Sequence, residues 1–454
     1  MPRFSIVRLL VIGMLGPVFM SLDIAEAEQR FAARTVYQAP STVYGLAWGE
    51  FDSGHAGSEV ACLLADASVV QLSPNGFNWS ALLRHKGLTT IGGMIDRPTI
   101  CIGNVHSGFA GNEIVIDGGK YLTVIRPGGG WSHEILFTVG GAGAGWGSRV
   151  GNIDPNHAGD EILHSFEGVM DRGTIGLFRE NAGVWQEEII YNEHVVMDSA
   201  VGEFDSMHAG PELVAVTEMG PAYEIYPPTG NPGGYWPRRT LWDNIDEAGW
   251  VAKIADVDPS HPGNEIIYGT RYSNRVTMSY PVGSVGHQLE ILFTGNAPPG
   301  YRSMYDIAIG DVLADAGLEV LGVDYSGSVY LANRSYTGWQ GRTIWWDLQG
   351  PLHAVVAGDF LPEVPGDEIL VAGQAGKVTL LLRQGPADYD RDGDVDGDDF
   401  NLFEACFSGP RIPPAEGCDN RDLDSDGDVD QADFGIFQRC YRGENNLVDP
   451  NCAD

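Results

Sequence analysis

Two short acidic loops near the C-terminus carry the most specific chemistry in this 454-residue chain. Each loop places Asp at positions 1, 3, 5, 7 and 12, Gly at position 6 and Val at position 8. The first loop begins at Asp388 and the second at Asp422, 34 residues later. Repeated carboxylates around a tight Gly turn supply the oxygen ligands that a hard divalent cation prefers.

The spacing matches the calcium loop of EF-hand type. There, positions 1, 3, 5 and 12 bring carboxylates, position 7 brings a backbone carbonyl and the apolar residue at position 8 holds the loop against the core. The sequence therefore predicts two bound Ca²⁺ ions. The ten predicted metal-site residues are Asp388, Asp390, Asp392, Asp394, Asp399, Asp422, Asp424, Asp426, Asp428 and Asp433.

One short helix should follow each loop, because aromatic residues recur at helical spacing after both of them. Phe400, Phe403 and Phe407 follow the first loop, and Phe434 and Phe437 follow the second. No comparable helix precedes either loop, and position 12 is Asp where EF-hands usually have Glu.

A duplicated loop with one helix resembles a type I dockerin module. The resemblance implies attachment to a cohesin-like domain or another extracellular protein. Loop positions 10 and 11, often Ser or Thr in that family, are Gly397-Asp398 and Gln431-Ala432 here, which leaves cohesin binding open. Four cysteines of this module allow three pairings, of which we expect the symmetric one, Cys406–Cys418 with Cys440–Cys452.

The remainder of the chain is organised by a repeat of about fifty residues. Its core is Gly, a polar residue, an apolar residue and often Asp, then Gly-x-Glu and an apolar residue. The seven copies begin at Gly49, Gly103, Gly151, Gly202, Ala255, Gly310 and Gly358. Such a period indicates stacked supersecondary units.

Each unit contains four short apolar runs separated by Gly, Asn and Pro, and no convincing helical period occurs before about residue 398. Seven units of four strands predict a seven-bladed β-propeller, so the fold class is mainly β with a small C-terminal α-helical module. The repeat resembles FG-GAP and integrin-α-like propeller repeats over roughly residues 30–383. We divide the chain into a signal peptide at 1–27, the propeller at 28–383 and the dockerin-like module at 384–454.

The seventh blade has only three strands of its own, whereas Phe31–Tyr37 matches the fourth strand of blade six, Trp339–Trp345. We therefore expect the N-terminal strand to complete the last blade and to remove an open sheet edge.

The repeat loops differ from calcium-binding FG-GAP loops, since they lack the D-x-D-x-D-G pattern and offer too few side-chain oxygens for a hard cation. We expect their aspartates to hold the turn through backbone N–H groups, with a weak metal or ligand role as the alternative. These residues are Asp52, Asp154, Asp205 and Asp258.

Aromatic and acidic residues recur where the innermost strands should begin, the positions from which side chains reach the axis of a propeller. Aromatic faces beside carboxylates suit a sugar ligand, although packing between blades would also account for the rings. The candidate ligand-binding residues are Trp146, Trp250, Tyr305, Asp198 and Asp306.

Residues 1–27 show the features of a secretory signal peptide, with Arg3 and Arg8, an apolar run and Ala25-Glu26-Ala27 as a cleavage site. No other stretch suits a membrane span, so a secreted protein is expected.

A formal net charge of −35 disfavours nucleic acid as a partner. Cys62 and Cys101 are the only propeller thiols, and their spacing leaves bridged and free forms equally open.

Two functions are compatible with these features. The first is a secreted calcium-binding protein whose propeller binds a ligand or glycan and whose C-terminal module attaches it to a partner. The second is a polysaccharide-degrading enzyme, a lyase or glycoside hydrolase, because dockerins commonly accompany such modules. No nucleophile, zinc or nucleotide motif is present, so binding is favoured over catalysis.

Overall fold

The computed structural model shows seven four-stranded antiparallel sheets in a closed ring, followed by a small module with two α-helices. This confirms the predicted mainly-β, seven-bladed propeller. The predicted signal peptide lies outside the described residues. The structure describes residues 31–453 with the exception of 56, 77, 88–97, 128–129, 139–144, 155–156, 168–172, 206, 209, 229–235, 283–285, 298–302, 314–316, 363, 365 and 450–451.

Each of blades 1 to 6 consists of antiparallel neighbours that are consecutive in the chain, with the first strand innermost. Blades 1 to 3 comprise β2–β5 (Val43–Gly49, Glu59–Leu64, Val69–Asn75, Asn78–His85), β6–β9 (Thr99–Gly103, Glu113–Asp117, Tyr121–Arg126, Ser132–Thr138) and β10–β13 (Gly145–Gly151, Glu161–Glu167, Gly173–Asn181, Val184–Glu193). Blades 4 to 6 comprise β14–β17 (Val196–Gly202, Glu212–Thr217, Pro221–Ile225, Arg238–Asp243), β18–β21 (Gly249–Ala255, Glu265–Thr270, Arg275–Val282, Gly286–Thr294) and β22–β25 (Met304–Gly310, Glu319–Asp324, Ser328–Ser335, Gly338–Trp346).

Blade 7 combines both ends of the propeller sequence. Its inner strands are β26–β28 (Leu352–Gly358, Glu368–Gly373, Lys377–Arg383), and its outermost strand is β1 (Phe31–Gln38). β1 pairs antiparallel with β28 from Phe31 opposite Arg383 to Gln38 opposite Lys377. The ring is therefore closed by strand pairing between residues more than 300 positions apart.

The core is distributed over the spaces between neighbouring sheets. Second strands such as β3 and β27 are buried at every position, as expected for strands covered on both faces. One apolar cluster, for example, joins Val60 and Leu72 of blade 1 to Leu370 and Leu380 of blade 7. Equivalent clusters fill the other six spaces.

The C-terminal module has its own aromatic core and two helices, α1 (Gly397–Glu404) and α2 (Gln431–Cys440). Single-turn 3-10 helices occur at Ile245–Glu247 and Asp419–Arg421. Disulfides join Cys406 to Cys418 and Cys440 to Cys452, which confirms the symmetric pairing. Among the described residues, no helix has the length and apolar character needed to cross a bilayer.

The module packs on the closing strand of the propeller. The backbone N–H of Ala33 donates to the carbonyl of Arg391 at 3.3 Å, and Arg34 lies 3.8 Å from the buried carboxylate of Asp394. Leu447 packs against the core between blades 7 and 1. The outer edge of β1 is thus partly covered by the module.

Removal of β1 should destabilise the whole ring, because it exposes the edge of β28 and uncovers apolar surface. Burial of one Phe side chain alone contributes about 1.5–3 kcal/mol, so we expect the free energy of unfolding to fall by at least that amount. Thermal unfolding and light scattering of a chain beginning at Ala39 would be compared with one beginning at Phe31. Equal melting temperatures for the two chains would contradict a stabilising role for β1.

Candidate functional site

A buried glutamate holds the repeat loop in every blade. In blade 1, one carboxylate oxygen of Glu59 accepts the backbone N–H groups of Phe51 and Asp52 at 3.2 and 3.3 Å. The same pair of bonds recurs in all seven blades, with distances of 2.8–3.4 Å. The accepting residues, each at most 2 % exposed, are Glu59, Glu113, Glu161, Glu212, Glu265, Glu319 and Glu368.

The loop aspartates tie down the turn, as predicted. One carboxylate oxygen of Asp52 accepts the N–H of Gly54 at 3.0 Å, and Asp205 and Asp258 make the equivalent bond. The turn after Asp154 is partly outside the described residues. The second oxygen of each aspartate contacts an arginine at 2.6–3.1 Å, namely Arg84, Arg179, Arg239 or Arg334. A guanidinium group thus lies beside the carboxylate that a cation would need.

Blade 4 contains the one propeller group that could hold a metal among the described residues, formed by Asp205, His208 and Glu224. Arg239 contacts the carboxylates of both Asp205 and Glu224 at 2.7 Å. His208 lies 2.9 Å from Glu224 and stacks on the ring of Tyr226. Because the arginine and the histidine already contact these carboxylates, we interpret this group as a structural cluster.

The inner strands share a β-bulge near their start. In blade 1, Val43 and Gly45 pair with adjacent residues of β3, so Tyr44 between them is left out of the ladder. A bulge redirects the side chain of the extra residue. The bulged residues of six blades are Tyr44, Trp146, Met197, Trp250, Tyr305 and His353.

Four of these bulged residues, Tyr44, Trp250, Tyr305 and His353, line a cavity of about 380 Å³ at the end of the propeller where the inner strands begin. The rings of Tyr44 and His353 stack at 5.0 Å, and Tyr305 lies 5.2 Å from His353 and 6.0 Å from Trp250. Further lining side chains include Arg149, Lys253, Asp306 and Tyr325, with Thr42, Thr99 and Gln374 at the rim. The cavity thus has a continuous aromatic wall and a few polar groups.

The candidate binding residues divide into two sets. Trp250, Tyr305 and Asp306 line the cavity. Trp146 is 6 % exposed and packs against Met197, so it fills the space on the side of blades 3 and 4. Asp198 is 1 % exposed and also lies outside the lining. Equivalent repeat positions therefore serve different purposes in different blades.

The two aspartates connect neighbouring inner strands. Asp198 accepts the backbone N–H of Ala252 in the next blade at 3.0 Å, and Asp306 accepts that of Val355 at 3.1 Å. Thr99 occupies the same repeat position in blade 2 and accepts the N–H of Ser148 at 2.7 Å. These bonds satisfy backbone donors of inner strands, each of which is an edge strand of its own sheet.

The aromatic wall is uncharged near neutral pH. Burial lowers the pKa of His353 to about 4. Burial, with smaller contributions from Tyr325 and Tyr44, raises the pKa of Tyr305 to about 12. The Arg149 guanidinium contacts Asp198 at 2.6 Å. Burial alone would lower the pKa of Arg149, but the nearby Asp198, Cys101 and Asp306 raise it above its usual value.

Tyr325, in the turn after β23, was not among the candidates, because it lies outside the repeat position that identified them. His353 does occupy that repeat position, but no sequence motif beside it marked it as a binding residue.

Cys62 is buried and Cys101 half-buried, and both are free thiols. Burial strongly raises the pKa of the Cys62 thiol, so it behaves as a core residue.

The acidic loops bring carboxylates together in a way that could hold a metal ion. Oxygens of Asp388, Asp390 and Asp399 lie within 4.8 Å of one another, as do those of the equivalent set, Asp422, Asp424 and Asp433. Neither carboxylate oxygen of buried Asp388 has a hydrogen-bond partner among the described residues. Its pKa is raised to about 8 by burial and by the charges of Asp399 and Asp392.

The last residue of each loop also lies in the first turn of the following helix. Asp399 accepts the N–H groups of Tyr389 and Asp390 with one oxygen and that of Asp396 with the other. Asp396 caps α1 in a capping box with Asp399, and Asp430 and Asp433 repeat this arrangement at α2. The ligand atoms that each loop offers are all carboxylate oxygens, which a hard metal ion prefers.

No protein-family model matches the chain, and no curated protein matches it either. Among solved structures, BBS1N in complex with ARL6DN is similar with a TM-score of 0.51 and 10 % identity, over 79 % of this chain and 98 % of that one. YCF48 from Cyanidioschyzon merolae gives a TM-score of 0.46 and 14 % identity, over 77 % and 99 %. At these identities, the similarity to BBS1N supports the propeller fold alone.

The buried glutamates should make the propeller less stable as pH rises. Burial raises the pKa of Glu113 and Glu265 to about 7 and that of Glu368 to about 8, against a usual 4.5. The folded state then retains protons that the unfolded chain has released. The free energy of unfolding should therefore fall between about pH 4.5 and pH 8, by at most about 1.4 kcal/mol per pH unit for each group.

Urea unfolding across this range measures the slope. Glu368→Gln keeps an oxygen that can accept the two N–H groups but cannot titrate, so it should flatten the pH dependence. Exposed Glu50→Gln is the control for loss of a charge and should leave the slope unchanged. A Glu368→Gln variant with the parental slope would contradict protonation of this glutamate in the folded state.

Proposed function

We propose that this chain is a secreted, non-catalytic binding protein whose propeller binds a glycan in the cavity at the start of its inner strands. The aromatic wall formed by Tyr44, Trp250, Tyr305 and His353 is the observation that carries this proposal. Flat aromatic faces pack against the apolar faces of sugar rings, and a cavity of about 380 Å³ is of a size that takes a small ligand.

The C-terminal module would bind two calcium ions, one in each acidic loop. Asp388, Asp390 and Asp399 would contribute ligands in the first loop, and Asp422, Asp424 and Asp433 in the second. Bound calcium would neutralise carboxylates that otherwise repel one another. The two disulfides of the module support export, because such bonds persist in oxidising compartments.

This module would also attach the propeller to another extracellular protein, such as a cohesin-like domain. Its helices and loops expose four large apolar side chains, each 38–55 % accessible: Leu402, Phe407, Ile412 and Tyr441. Large apolar side chains that are exposed on a small module would be accessible to a protein partner. The resemblance to dockerins favours the same role.

Calcium binding can be measured by titration calorimetry of the full chain after removal of metal. We expect two ions per chain. Asp390→Ala combined with Asp424→Ala should abolish binding, because each variant removes one carboxylate from a different loop. Asp398→Ala changes an exposed residue outside the ligand set and should retain both ions. Binding of calcium by the double variant with parental stoichiometry would refute the ligand assignment.

The cavity can be tested by glycan binding. Trp250→Ala should weaken binding and leave the fold intact, since this ring lines the cavity. Trp146→Ala removes a buried ring at the equivalent repeat position and should instead lower the free energy of unfolding by about 3–5 kcal/mol. Glycan arrays and calorimetry would measure the first effect, and chemical unfolding the second.

Two outcomes would argue against this function. An intact protein that binds no glycan would leave the cavity without a sugar ligand. Turnover of a polysaccharide that is lost in Asp306→Asn would establish an enzyme. In the structure, both oxygens of Asp306 accept backbone N–H groups, those of Ile307 and Val355, an arrangement suited to holding strands together.

A further inference from the structure

Lys253 places an ammonium group at the cavity that is not neutralised by the protein. It lies on β18, half-buried, and lines the cavity with Trp250 of the same strand. In the part of the chain that the structure describes, its side chain makes no hydrogen bond or ion pair. The Lys253 side chain is therefore available to pair with a ligand that enters the cavity.

The other charges around the cavity have partners. Arg149 pairs with Asp198 at 2.6 Å and also donates to the carbonyl of Ser148 at 2.9 Å. Asp306 accepts backbone N–H groups of Ile307 and Val355. Among the described lining residues, Lys253 is therefore the cation without an ion-pair partner.

The surroundings strengthen this effect. The whole chain has a formal charge of −35, so an anion is repelled over most of the surface, and a free cation at the cavity is a local exception. The neighbouring Tyr305 and His353 side chains are half-buried and limit the access of water, and an ion pair is stronger in such surroundings than in bulk water.

We infer that the cavity selects an acidic sugar, whose carboxylate or sulfate group pairs with Lys253 while its ring packs against Trp250 and Tyr305. This inference rests on the proposed glycan-binding function and adds to it the class of the ligand. It also makes Lys253 the residue that determines specificity.

The test compares matched ligands. Oligosaccharides of uronic acids would be measured beside their methyl esters, and sulfated oligosaccharides beside their desulfated forms, all with the full chain in calcium. We expect at least one acidic member to bind roughly tenfold or more tightly than its neutral counterpart, a difference of about 1.4 kcal/mol. Added salt should weaken this preference, because it screens the ion pair. The carboxylated and sulfated arms show which anion is recognised.

Lys253→Met should remove the preference and leave binding of the neutral counterpart nearly unchanged. Lys253→Arg keeps the charge and should retain most of the preference. Exposed Lys86→Met removes the same charge elsewhere and should retain all of it. Circular dichroism and melting temperature would show that each variant is folded.

Equal affinity for acidic and neutral ligands, or an unchanged preference in Lys253→Met, would overturn the inference while glycan binding stands. Absence of binding to every acidic and neutral sugar would instead overturn the proposed glycan function, and this inference with it.

Discussion

The propeller depends on one repeated interaction, a buried carboxylate that accepts two backbone N–H groups in each repeat loop. The loop between the first and second strands must reverse the chain at the surface of a sheet that is buried on both faces. Backbone donors in such a loop are costly to leave without acceptors. The glutamate that begins each second strand supplies the acceptor, and it does so in all seven blades. This requirement accounts for the Gly-x-Glu pattern better than a ligand role does.

The opposite end of the blades is less uniform, and this is where a binding cavity could develop. The bulge at the start of the inner strand is shared by six of the blades, yet its residue is Trp146 or Met197 on one side of the ring and Tyr305 or His353 on the other. Large side chains on the side of blades 3 and 4 fill the space, whereas the rings of blades 1, 5, 6 and 7 line a void. The cavity is therefore an asymmetric feature of a nearly symmetric scaffold.

Sequence periodicity was sufficient to predict the blade number, the matching of β1 to the fourth strands and the symmetric disulfides. Each of these follows from a pattern that repeats at a fixed offset. The bulges were not predictable, because a residue left out of a ladder has no signature in composition. Consequently Asp198 looked like a cavity group, although it lies outside the lining and its carboxylate holds the neighbouring strand. Asp306 does line the cavity, and its carboxylate also holds the next strand. Position in the repeat located the ring of residues, but only packing showed which of them face the void.

The closing strand connects the two parts of the chain. β1 is bonded on one edge to β28 and is covered on the other by the first acidic loop, through Ala33 with Arg391 and Arg34 with Asp394. Any free energy gained when a cation orders that loop would add to the stability of the surface that covers β1, since binding to the folded state alone shifts the folding equilibrium. The C-terminal module thus packs against the propeller. Its first loop belongs structurally to the seam of the propeller.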